Sequence, residues 1–137
     1  MITRTVRVGT WEFDFFFAVG VFNPEELSDR LALFDAPEEI MERTANFMAA
    51  GDLNTGFTYS NTDLQRGVVW VGPQSEGRQW INTTVHEIVH VAIAIARDKG
   101  IDYVGEAFAY LLGDIVECLS DILCLLGCDS CRKQAEE

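Results

Sequence analysis

Apolar and polar residues alternate from the start of the chain. Thr3-Arg4-Thr5-Val6-Arg7-Val8-Gly9 has the period of two that a strand requires. Trp11-Glu12-Phe13-Asp14-Phe15-Phe16-Phe17 begins the same way and then turns wholly aromatic. It predicts a second strand in the core, paired with the first across Gly9-Thr10. Helical punctuation follows. Asn23-Pro24-Glu25-Glu26 offers an N-cap, a proline at the first helical position and acids in the first turn, and predicts a helix to about Phe34. Asp35-Ala36-Pro37-Glu38-Glu39 repeats the signal for a helix from roughly Pro37 to Ala50, closed by Gly51, with an acidic solvated face. Asp52 to Asp63 is a polar loop with a short strand at Phe57-Thr58-Tyr59. Gly67-Val68-Val69-Trp70-Val71-Gly72 is a further strand, and Pro73 to Gln79 a polar loop.

The pattern then becomes continuously helical. Ile88 to Ala96 runs without glycine or proline towards Asp98-Lys99-Gly100; Asn82 or Thr83 can cap its start, and Gly100 suits the position after its end. The segment is apolar almost all round, which predicts a buried helix. After the break at Gly100-Ile101-Asp102, a single helix is expected from Val104 past Gly113 to Leu126. Ile115, Val116, Leu119, Ile122, Leu123 and Leu126 fall on its apolar stripe. Arg132 to Glu137 reads as a frayed tail.

Inside the apolar helix stands His86-Glu87-Ile88-Val89-His90. Residues four apart lie one turn apart on one helix face, so both imidazoles can meet a single ion, with Glu87 beside them. These are the only two histidines in the chain. By average residue usage such a motif arises by chance in about one chain of this length in a few hundred. Burying three polar groups on an apolar helix is costly unless something engages them, and a metal would. A carboxylate is expected to complete the set. Glu106, sixteen residues after His90, lies among Gly105, Ala107 and Ala109, which leave room around it. Two histidines and a glutamate would hold Zn2+ and leave a fourth position open.

Charge and length narrow the classes. With 10 basic and 22 acidic residues the net charge is −12, which opposes binding to nucleic acid or to an anionic membrane. No stretch is long and apolar enough to span a bilayer. The N-terminus lacks a signal-peptide pattern, because Glu12 and Asp14 interrupt it, so an intracellular, cytoplasmic protein is expected. At 137 residues a single domain is expected over 1–137. Cys118, Cys124, Cys128 and Cys131 are read first as free thiols, then as a disulfide, and last as a metal cluster of Cys124, Cys128 and Cys131.

The run from His86 to Asp114 resembles the core of the gluzincin metallopeptidases, in their minimal form, over about a fifth of the chain. Gly105-Glu106-Ala107 is similar to that family's local context around the metal-ligating glutamate. The resemblance implies a small α+β zincin-like domain: an N-terminal antiparallel sheet, an active-site helix and a glutamate-bearing helix. It implies His86, His90 and Glu106 as zinc ligands, Glu87 as general base and acid, and a peptide or protein substrate. Tyr110 stands where thermolysin-type members carry an orienting aspartate, with Asp114 a turn further on, and no third histidine exists to steady an oxyanion. Tyr103, Tyr110, Tyr59 and Arg78 are the candidates for that task. The resemblance also suggests that an edge strand, either 67–72 or the one around Tyr59, pairs with an extended peptide; an interior strand without substrate contact is the alternative for 67–72. The competing expectations are a catalytically inactive zinc protein and an acidic interaction protein without metal. Substrate sequence and oligomeric state leave no mark on the pattern.

Overall fold

The computed structural model describes residues 1–136. The N-terminal alternation becomes a hairpin. β1 (Ile2–Val8) and β2 (Trp11–Phe17) pair antiparallel with Val8 opposite Trp11, and Gly9 turns the chain at a left-handed φ of 59°. α1 (Pro24–Leu33) starts as its sequence predicts, the Asn23 side chain accepting from the Glu25 N–H at 3.0 Å. α2 (Glu38–Ala50) ends at Gly51, again left-handed. β3 (Gly56–Asn61) and β4 (Arg66–Val71) complete a four-stranded sheet in the order β1-β2-β4-β3.

β2 and β4 run parallel, so the sheet is mixed rather than antiparallel throughout as expected. The reason lies in the connection: α1 and α2 intervene between β2 and β3, and a crossover of that length permits a parallel pair. It also explains the run of aromatics in β2. Phe13, Phe15 and Phe17 lie in one core cluster with Val69 and Val71, while Phe16 lies in another with Val68, Trp70, Leu27 and Leu31. Both faces of the central strands are covered, so neither β2 nor β4 can alternate cleanly.

The first cluster is completed by α3 (Gly77–Lys99), α4 (Glu106–Cys118) and α5 (Ser120–Gly127). α3 ends at Gly100 with φ 70°, as predicted, but begins at Gly77, ahead of Asn82 and Thr83. It is buried on one side only: Ile88, Val91 and Ile95 are inaccessible, whereas Val85, His86 and His90 are exposed. The expected single C-terminal helix is two, broken at Leu119 (φ −106°, ψ 9°), a fully buried residue with no glycine or proline to announce the bend. The tail is also more ordered than expected. α6 (Asp129–Glu136) is docked by Arg132, whose buried guanidinium donates to the Leu126 carbonyl and the Asp129 carboxylate, each at 2.8 Å. Glu137, the last residue of the expected frayed segment, lies outside the described residues. No helix among the described residues is long and apolar enough to cross a membrane.

Candidate metal centre

α3 carries the site. Its back is fixed to the sheet by Ile88 and Val91, so His86 and His90 on the exposed side point away from it at a defined angle. His86 and His90 present their Nε2 atoms to each other at 3.3 Å, rings edge-on with centroids 5.0 Å apart. Two nitrogens each about 2.05 Å from one tetrahedral ion would be separated by roughly 3.3 Å, so the imidazole pair already fits a shared zinc-sized cation. The His86 side chain is 66% exposed and Glu87 only 5%.

Glu87 turns inward beside the pair. Its Oε1 lies 4.0 Å from His86 Nε2, and its Oε2 accepts from Thr58 Oγ1 at 2.9 Å. The hydrogen bond offsets part of the cost of burying the carboxylate and fixes which oxygen faces the imidazoles. Thr58 can reach it because β3 passes close over α3 at Gly56. A Cβ there would sit 2.9 Å from the Trp70 carbonyl oxygen, 3.0 Å from Thr83 Cγ2 and 3.2 Å from Glu87 Cγ, so only glycine permits this approach without displacement. Ligand atoms of His86, Glu87 and His90 all lie within 4.8 Å of one another, the sole such grouping of histidine, cysteine, aspartate and glutamate among the described residues. The group could hold a metal ion, and its nitrogen and carboxylate donors suit a borderline divalent cation.

The three residues open into a cleft of about 310 Å³ between α2 and α3, floored by Gly56, Phe57 and Thr58 of β3. Ile40, Arg43, Thr44 and Phe47 of α2 form the facing wall. An adjoining hollow extends it past Thr55, Asn82 and Thr83 towards the start of α3. β3, which floors the cleft, is one of the two edge strands of the sheet, with β1 at the other edge, and β4 is interior.

Not every expected residue arrives here. Glu106 is the first residue of α4, exposed, and is not part of the histidine group. The cause is helix length. α3 continues for nine residues beyond His90, about 13 Å of rise. α4 folds back only after that, and its later residues Leu111 and Ile115 are the ones that join Ile88 and Val91 in the core. Tyr103 and Tyr110 are 47% and 70% exposed, and neither lines the cleft. The Tyr59 hydroxyl donates to the Phe34 carbonyl at 2.9 Å, and Arg78 pairs with Glu76 at 2.8 Å, so both are engaged elsewhere. None of the four cysteines belongs to a metal-sized group among the described residues. Two cleft residues escaped the sequence: Thr58, which holds Glu87, and Arg43, the only cationic side chain in the lining. Neither lies in a motif, and the face of α2 had the composition of plain surface.

Compared with protein-family models, with curated proteins and with solved structures, the chain shows no match.

Proposed function

We propose that this protein is a zinc-dependent peptidase of the zincin type, with His86 and His90 as metal ligands and Glu87 as general base. The observation that carries the proposal is the buried Glu87 carboxylate, held by Thr58 and set beside two exposed imidazoles in an open cleft. Zinc, when bound, supplies Lewis acidity, polarising a carbonyl and acidifying water. The chain supplies the rest. Glu87 takes a proton from the attacking water and delivers it to the leaving amine. Edge strand β3 offers main-chain groups to an extended peptide, and Phe47 and Phe57 offer apolar contacts to its side chains. Arg43 brings positive charge to the facing wall, suited to a carbonyl oxygen gaining charge or to a substrate carboxylate. Glu106 would complete a set of two histidines and a glutamate only if the first turn of α4 shifted along α3.

That last point favours one second reading, a zinc-binding protein without hydrolytic activity: with Glu106 outside the group, Glu87 is the only carboxylate there, and as a third ligand it would not be free to act as base. Zinc titration followed by a screen of quenched peptides separates the two. The peptidase reading expects Glu87→Gln to retain zinc and lose hydrolysis, and His90→Ala to lose both. Stoichiometric zinc with no turnover in the unmodified protein selects the inactive reading. Absence of zinc binding would overturn both.

A further inference from the structure

A second cluster of reactive side chains lies away from the cleft, where α5 gives way to α6. Cys128 occupies the capping position of α6: its backbone is extended (φ −103°, ψ 113°) and its carbonyl accepts from the Arg132 N–H at 2.9 Å. Its Sγ folds back over the first turn and accepts from the Cys131 N–H at 3.5 Å. A serine or aspartate oxygen takes this place in an ordinary N-cap; here a sulfur does. The Cys131 backbone N–H, then the Cys131 thiol and the Ser130 N–H, hold Cys128 below the ordinary thiol range despite the neighbouring Asp129. Cys131 is displaced upward, chiefly by its hydrogen bond to Cys128 and by the charge there. One thiol of the pair is thus predisposed to ionise and the other to stay protonated beside it. Asp129 is itself engaged by Arg132 at 2.8 Å, which limits its opposition. Residues three apart at a helix start have Cα atoms about 5 Å apart, within the span a disulfide bridges. Cys131 is exposed and Cys128 half-buried.

We propose that Cys128 and Cys131 form a reversible dithiol–disulfide couple, in which Cys128 attacks and a low-molecular-weight disulfide is the oxidant. The Cys128 thiolate attacks one sulfur of the small disulfide, forming a mixed disulfide and releasing a small thiolate. Cys131 then loses its proton to that thiolate, and its sulfur attacks Cys128, expelling the second small thiolate. The protein loses two electrons and two protons, and one small disulfide becomes two thiols. The couple lies against the start of the metal-site helix. A Cβ on Gly77, the first residue of α3, would lie only 2.6 Å from the Gly127 carbonyl oxygen and 3.4 Å from Asp129 Oδ1. The proposal is independent of any hydrolytic activity.

The test uses the full chain carrying Cys118→Ser and Cys124→Ser, equilibrated in mixtures of reduced and oxidised glutathione, quenched with acid and weighed intact. A species lighter by two hydrogens, replacing the reduced form as the mixture becomes more oxidising and reverting when it is reversed, is the expected result. In that background, Cys131→Ser should trap glutathione on Cys128. Cys128→Ser should acquire it on Cys131 at least about threefold more slowly, since a lower pKa raises the thiolate fraction more than it costs in nucleophilicity. Accumulation of two separate glutathione adducts without an intramolecular disulfide would overturn the couple. Equal rates for the two single variants would overturn the assignment of Cys128 as the attacking thiol.

Discussion

The two walls of the cleft are built differently. The α3 wall is anchored from behind by Ile88, Val91 and Ile95, all inaccessible to solvent, and carries every candidate metal donor. The α2 wall buries a single residue, Thr44, and contributes Ile40, Arg43 and Phe47 to the cleft. The contrast teaches where each kind of task can be placed. Two imidazoles must keep a 3.3 Å separation to share an ion, which needs a helix that cannot rotate. Contact with a variable partner needs no such constraint, and a lightly held helix suffices for it.

The contrast can be broken or sharpened by substitution. The largest stability effect is expected behind the α3 wall: Ile88→Ala should cost about 2–5 kcal/mol in denaturant unfolding and loosen the histidine pair. A cost below 1 kcal/mol would mean that α3 is not the rigid wall. Zinc at one hundred times its Kd should stabilise the protein by about 2.7 kcal/mol, read as a rise in melting temperature that His90→Ala abolishes. An undiminished rise in that variant would move the metal elsewhere. Thr58→Val should cost about 1–3 kcal/mol, because Glu87 is left buried without its donor, and Thr58→Ser should restore most of it. Arg43→Ala, on the α2 wall, should change stability by no more than about 0.5 kcal/mol while altering peptide turnover. A large loss of stability there would erase the distinction between the walls.

The start of α3 shows how local signals and tertiary contacts divide the work. Asn82 and Thr83 looked like caps, yet the helix begins at Gly77, and its N-cap residue Glu76 makes no side-chain capping bond. Asp129, from the far end of the chain, lies over this start. Its carboxyl is held below the usual carboxylate range mainly by Arg132, with the Gly77 N–H adding to the effect. A carboxylate brought to a helix start from about fifty residues away leaves no trace in the neighbouring sequence. The break at Leu119 is similar: the chain bends because Ile115, Leu119 and Ile122 all enter one core, not because a helix-breaking residue stands there.

What the sequence determined by itself was everything governed by short-range period and punctuation. That includes the β1–β2 hairpin across Gly9, the Asn23 cap, the stops at Gly51 and Gly100, and two histidines one turn apart with a glutamate between them. These depend on residues a few positions apart, whose geometry the backbone dictates. Tertiary structure alone decided that β2 and β4 are parallel, that β3 is the edge strand beside the cleft, that Thr58 holds Glu87, that Arg43 lines the cleft with the candidate donors, and that Glu106 stands outside their group. Each of these depends on how far one element runs before the next turns back, and that length is set by packing against distant residues rather than by any neighbour in the chain.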